Sequence, residues 1–211
     1  MSDADRALLT ALTGVSRETM QRLNIYADLL RRWNPAINLV AKATLGAVWP
    51  RHILDSAQLW RIAPERADTW ADLGSGAGLP GLVIAAIAAE KRPQLRMTLV
   101  DSDTRKCAFM RTAAQAMGLS VDIRTQRLEK PPSERFAVIS ARALAPAPAL
   151  FAMVSLWLDP EGVALLPKGA GVEQELTDAS RDWHSHIVRT QSITDAAGVI
   201  LSVTELRRAS A

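Results

Sequence analysis

The chain has 211 residues, 48% of them hydrophobic, and 25 Lys and Arg against 22 Asp and Glu, for a net charge of +3. That composition supplies one sizeable core and excludes a strongly charged, low-complexity chain. A single cysteine, Cys107, and three histidines exclude an internal disulfide and a multi-cysteine zinc set, so no structural metal is expected.

Residues 1–62 read as helical. The opening Met1 to Asp5 is acidic rather than basic, unlike a targeting leader. Ser16 is placed to cap a helix whose apolar positions Leu23, Tyr26, Ala27, Leu30 and Trp33 keep helical spacing until Pro35 stops it. A second helix is predicted from about Ala47, through Trp49, Ile53, Ala57 and Trp60, to just before Pro64. From about residue 68 strands alternate with helices. The strands are predicted at Thr69–Leu73, Met97–Asp101, Val121–Thr125, Ala137–Ser140 and Val163–Pro167, and the helices at Leu79–Lys91, Thr104–Met117, Ala147–Leu158 and Val172–Trp183. Two last strands, His186–Ser192 and Val199–Leu206, are close enough to form an antiparallel hairpin at the sheet edge. The expected fold is α/β and Rossmann-like, with a mostly parallel seven-stranded sheet, helices on both faces and an N-terminal helical extension (1–66) packed on the core (67–211). The longest near-apolar run, Leu79 to Ala89, is broken by Pro80 and Gly81 and is too short to cross a bilayer, so a soluble cytoplasmic protein, not a membrane protein, is expected.

The stretch Trp70 to Gly81 carries the chemistry. A strand ending in Asp72 runs into Gly74, Gly76 and Gly78, which permit positive φ and close approach of backbone to ligand, and Gly81 lets the next helix pack tightly on the sheet. Gly76 to Gly81 also satisfies the dinucleotide pattern G-x-G-x-x-G, with Asp101 twenty residues further on, so an NAD(P)-dependent oxidoreductase is a competing reading. Against it, Asp72 suits an ammonium group better than a pyrophosphate, and Pro80 removes one N–H from the helix start. Asp101, ending the second strand, is placed to take two ribose hydroxyls. An ammonium, a ribose and no phosphate describe S-adenosylmethionine.

With these residues in view the chain resembles the class I S-adenosylmethionine-dependent methyltransferases and, more narrowly, the bacterial 16S ribosomal RNA guanine-N7 methyltransferases of the RsmG type, also called the glucose-inhibited division protein B family. The resemblance runs through Trp33 to Leu39, Arg51 to Ser56, Asp72 to Gly81, Leu99 to Ser102 with Arg105 and Lys106, Ile139 to Ala143, and Leu166 to Gly169. It implies cofactor contacts at Gly74 and Leu79, an adenine-lining segment at Leu128 and Glu129, and a basic residue closing the site at Arg142, with Lys168 beside it. Two departures touch that set: Ser140-Ala141-Arg142-Ala143 stands where the family reads Ser-Arg-Ala, and Pro167-Lys168-Gly169 where it reads Leu-Lys-Gly. The implied partner is 16S ribosomal RNA in the small subunit, methylated by a monomer. A non-catalytic ribosome-binding protein that retains the fold is a third reading.

Guanine N7 carries an in-plane lone pair and no proton, so a site of Arg142, Lys168 and His52 needs no general base. His52 is expected to orient loops around the acceptor pocket or to serve structure, its spacing from Asp55 also permitting a local hydrogen bond. Arg105, Lys106, Arg124, Arg127 and Arg207 are candidates for phosphate contacts. Trp33, Trp49 and Trp60 read as core before stacking platforms, Cys107 as a small apolar packer, and His184 and His186 as surface residues.

Overall fold

The structure, a computed structural model, describes residues 1–130 and 132–209; Pro131, Ser210 and Ala211, which fall within the expected core range 67–211, lie outside the described residues. Helix α1 (Asp3–Thr13) is started by Ser2, whose hydroxyl accepts the Asp5 N–H while the Asp5 carboxylate accepts the Ser2 N–H. The acidic N-terminus is therefore a capping box. Helix α2 (Arg17–Ile37) begins at Ser16 as its spacing requires. It outruns Pro35, which sits in the last turn, where the missing N–H removes only one bond. The helix ends instead at Asn38, in the left-handed conformation at φ 46°. Asn34 then pins the exit, its side chain bonding both Val40 N–H (2.8 Å) and Val40 C=O (3.1 Å).

The second predicted helix is three kinds of helix in succession. A 3₁₀ segment (Lys42–Ala47) leads to π-helical backbone (Trp49–Leu54), a single α turn α3 (Asp55–Ala57) and another 3₁₀ turn (Gln58–Arg61). Pro50 lacks a donor for an α ladder, and the Ser56 hydroxyl takes the His52 carbonyl at 2.6 Å, so the regular pattern gives way here. Such π segments frequently mark functional sites.

The sheet strands are β1 (Thr69–Leu73), β2 (Arg96–Asp101), β3 (Asp122–Thr125), β4 (Phe136–Ser140), β5 (Leu158–Lys168), β6 (Trp183–Gln191) and β7 (Val199–Arg208), in the order β3-β2-β1-β4-β5-β7-β6. The first five are parallel, and β7 is antiparallel to both β5 and β6, which places the hairpin at the edge. The helices between are α4 (Gly81–Lys91), α5 (Thr104–Ala116), α6 (Ala147–Trp157) and α7 (Val172–Ala179). Helix α7 is shorter than its periodicity predicts, because Trp183 belongs to β6, where it is buried and faces Arg208 in register.

β1 is buried at every position, as a central parallel strand covered on both faces must be. One face carries α4, α5 and the N-terminal helices in a single apolar cluster that includes Leu23, Tyr26, Leu30, Ile53, Ile84 and Phe109. The other carries α6 and α7 around Phe136, Phe151 and Trp157. The N-terminal helices are also stitched to α4 by Glu90, which accepts from Ser16 N–H (3.0 Å), the Ser16 hydroxyl (2.8 Å) and the Thr19 hydroxyl (2.6 Å). Burial works against its charge, but the Thr19 and Ser16 bonds outweigh it and hold the carboxyl down at about 2. Among the described residues no helix is long and apolar enough to cross a membrane.

Candidate active site

Strand order reverses between β1 and β4, and a cleft of about 860 Å³ opens at their C-terminal ends. It is lined by Gly74, Gly76 and Leu79 of the glycine turn, by Arg142 after β4 and Lys168 ending β5, and by His52 from the π-helical segment. Asp72, Asp101, Leu128 and Glu129 do not line it.

Asp72 and Ser140 are neighbours in register across β1 and β4, and the Ser140 hydroxyl donates to Asp72 Oδ1 at 2.7 Å. Asp72 Oδ2 accepts the Gly81 N–H at 3.1 Å, so the carboxylate, with no exposed surface, braces the start of α4. Burial pushes its pKa up to about 6, against hydrogen bonds from Ser140, Ser75 and Gly81. Asp101 braces the turn from the other side: Oδ2 accepts the Gly76 N–H and Oδ1 the Asp103 N–H, each at 2.8 Å. Tyr26 reaches across from α2 to donate its hydroxyl to the Ala77 carbonyl at 2.9 Å, fully buried. The turn is thus held from three directions by protein groups.

The glycines differ in what they permit. A Cβ at Gly74 (φ +64°) would lie 2.5 Å from Leu144, and at Gly78 (φ +83°) 2.5 Å from Leu82, whereas at Gly76 (φ +56°) the nearest atom is 3.9 Å away. Gly74 and Gly78 are therefore demanded by packing as well as by φ. Gly76 is demanded by φ alone and borders open cleft, which fits a ligand lying close over its backbone.

On the opposite wall Arg142 reaches the N-terminal segment. Its Nη1 donates to Asp55 Oδ2 at 3.1 Å and to the Arg51 carbonyl at 3.4 Å, and its Nη2 lies 3.3 Å from His52 Nδ1. Because a guanidinium only donates, Nδ1 is the acceptor and the ring proton resides on Nε2, 2.8 Å from Thr44 Oγ1, which in turn donates to the Ala41 carbonyl. Burial and then the Arg142 charge push the His52 pKa down to about 4. Between about 4 and 6.5 the unfolded chain binds a proton that folded His52 refuses, so its contribution to stability falls as pH drops through that window. Asp72 acts oppositely between 3.8 and about 6. His52 and Asp55 do not bond each other as their spacing allows; Arg142 joins both. Lys168 is held by the Glu175 carboxylate (2.7 Å) and the Ala145 carbonyl (2.8 Å).

The structure adds a wall that the sequence reading did not assign. Ser192, Thr194 and Asp195, in the β6–β7 connection, line the cleft and bond to Gln58, Asp55 and Arg51. Their signal is confined to a cluster of polar residues in a short hairpin connection. Of the phosphate candidates, Lys106 lines the cleft and Arg127 is exposed, while Arg105 pairs with Asp103 at the α5 cap. Arg124 is engaged by both Asp122 and Glu134, and Arg207 borders a separate hollow of about 380 Å³. Leu128 is buried in the second core cluster, its carbonyl accepting from Trp157 Nε1, and Glu129 is exposed. The rings of Trp33 and Trp60 meet Phe109 and Arg92, Trp49 is buried, and none lines the cleft. Cys107 is fully buried and His184 and His186 are exposed.

Solved structures with this fold include the O-methyltransferase TomG from Streptomyces achromogenes (TM-score 0.58, 13% identity, 96% of each chain) and the glycopeptide N-methyltransferase MtfA (TM-score 0.59, 11% identity, 72% of this chain and 86% of that one). At these identities they establish the Rossmann-like methyltransferase fold. A ribosomal RNA small subunit methyltransferase G from Cereibacter sphaeroides is 48% identical over 96% of this chain and 97% of its own length, and one from Parvibaculum lavamentivorans is 46% identical over 96% and 90%. The family model for rRNA small subunit methyltransferase G (GidB) matches residues 19–203, which span every wall of the cleft. The chain belongs to the rRNA small subunit methyltransferase G family.

Proposed function

We propose that this chain transfers the methyl group of S-adenosylmethionine to N7 of a guanine in 16S ribosomal RNA, by direct in-line displacement without a covalent enzyme intermediate. The observation that carries the reading is the family match across all the cleft-lining segments, and it favours methyl transfer over hydride transfer. Bound S-adenosylmethionine supplies an electrophilic methyl on a sulfonium. Gly74, Gly76 and Leu79 are assigned to its contacts and Asp101 to its ribose hydroxyls. Asp72, with no exposed surface, serves by negative charge and by anchoring Gly81. Leu128 and Glu129, just beyond β3, are assigned to the adenine end. The proposed setting is cytoplasmic, with a monomer acting on the small subunit or its RNA.

The protein's part in such a displacement is alignment, which supplies roughly 7 to 11 kcal/mol of barrier reduction in well-oriented reactions. Arg142 and Lys168 are cations beside the acceptor space, suited to the guanine O6 edge or a neighbouring phosphate. Neither takes a proton. His52 is ill suited to do so, since Nδ1 already accepts from Arg142 and its pKa is down at about 4. His52→Gln should accordingly lower single-turnover transfer by a modest factor that is the same from pH 5.5 to 8, roughly tenfold where the amide oxygen keeps Arg142 and the neutral bond to Thr44 is lost. A loss of about a thousandfold, with disappearance of an ionisation from the rate profile, would show proton transfer by His52.

N7 lies in the deep, narrow major groove of A-form RNA, so the target guanine must stand in a loop, bulge or opened helix. RNA association should weaken steeply with salt, and replacing Arg105, Lys106 and Arg127 together by Ala should flatten that slope by about two to three units on a log–log plot. An unchanged slope in a binding titration would place the RNA surface away from these three residues.

A further inference from the structure

The guanidinium of Arg142 takes its orientation from outside the sheet that carries it. Its hydrogen-bond partners, Arg51, His52 and Asp55, all come from the N-terminal segment, and Asp55 brings the carboxylate. Asp55 is itself committed twice more: Oδ1 accepts the Thr194 hydroxyl at 2.7 Å and the Gln58 amide at 3.0 Å. One carboxylate therefore joins the π-helical segment's exit, the end of β4 and the β6–β7 connection, and all three line the cleft. The Arg142 and Asp55 side chains are 19% and 20% exposed, so water competes weakly for the pair.

We propose that Asp55 is the positioning residue of the reaction, aiming Arg142 at the acceptor base and making that aim depend on the seating of the β6–β7 connection. The inference rests on the methyl-transfer reading above. Arginine has five N–H donors in a rigid fork. With Nη1 spent on Asp55 and Arg51 and one Nη2 hydrogen on His52, the other Nη2 hydrogen and the Nε hydrogen are left for a ligand. An arginine without the carboxylate keeps its charge but loses the direction of those donors. Misplacement of about 1 Å in a positioning group lowers rates on the order of a hundredfold.

Asp55→Asn separates aim from volume. If the new carbonyl oxygen keeps Thr194 and Gln58, the amide nitrogen confronts Arg142 Nη1 donor to donor; if it turns to receive Arg142, the other two donors lose their acceptor. Either way one arm of the junction opens without a cavity.

The test is a double-mutant cycle in single-turnover methyl transfer to small subunits at saturating S-adenosylmethionine, with wild type, Asp55→Asn, Arg142→Ala and the double variant. Wild-type transfer establishes the underlying reaction, and its failure would count against that reading rather than against Asp55. Expected are a loss of about a hundredfold in Asp55→Asn, with S-adenosylmethionine affinity within about twofold of wild type, and a double variant no slower than Arg142→Ala within about threefold. Asp55→Asn at wild-type rate, or losses that multiply in the double variant, would overturn the proposal, since a merely structural Asp55 does not act through Arg142. Should Asp55→Asn fold poorly, Thr194→Val replaces it in the cycle. Its loss, about tenfold for one hydrogen bond, should vanish in the Arg142→Ala background, and a loss that persists there overturns the proposal equally.

Discussion

Gly76→Val is expected to weaken S-adenosylmethionine binding by about a hundredfold or more while leaving the chain folded. The backbone at Gly76 has φ +56°, which costs an L residue roughly 1 to 2 kcal/mol and a β-branched one more. Beyond its chain neighbours no atom stands nearer than 3.9 Å to a Cβ built there, so the Cβ itself meets no clash and the cost to the fold is conformational. The added isopropyl group then grows from a residue that lines the cleft, where a close-lying ligand must be displaced. Gly81→Val supplies the contrast. Its Cβ would lie 2.8 Å from Asp72 Oδ2 and 2.9 Å from Leu99, so its damage should appear as lost thermal stability. Calorimetric titration of S-adenosylmethionine beside a melting curve distinguishes them, and a folded Gly76→Val variant with normal affinity would show that the ligand does not lie on this turn.

Asp101→Ala should weaken the same binding by roughly 1.5 to 3 kcal/mol, between about tenfold and a hundredfold and more, because it removes the charged acceptor proposed for the ribose hydroxyls. The structure enlarges the expected effect. Asp101 also holds the Gly76 N–H, so the variant loosens the turn that lies over it. Asp101→Asn keeps one carbonyl for Gly76 and loses the charge, and it should fall between wild type and Ala. Affinity unchanged in a folded Asp101→Ala variant would remove Asp101 from the binding site.

The sheet was legible in the sequence because its parallel strands are buried on both faces and read as short apolar runs between helices. Thr69–Leu73 and the start of α5 at Thr104 fall where patterning places them. Patterning failed where side chains override the backbone ladder. Between Lys42 and Arg61 the apolar spacing of Trp49, Ile53 and Ala57 is compatible with an ordinary helix, but Pro50 and the Ser56 bond to the His52 carbonyl leave π-helical and 3₁₀ turns. Pro35 looked like a stop and lies inside the last turn of α2. The site divides in the same way. Gly76 was legible from local motif, Arg142 and Lys168 from the family resemblance, and all three line the cleft. Asp72 and Asp101 were legible as residues but not as braces, because their partners Ser140 and Gly76 lie 68 and 25 residues away in the chain. Nothing local joins Thr194 to Asp55 across 139 residues, so the wall they form could only come from the fold.

The most direct test of the central claim is mass mapping of ribosomal RNA from small subunits incubated with this protein and methyl-labelled S-adenosylmethionine. Label is expected in a single 7-methylguanosine of 16S ribosomal RNA, with none in protein. Label on a pyrimidine carbon, on an exocyclic amine or on ribose, or no transfer by a protein that binds S-adenosylmethionine and the subunit, would contradict it.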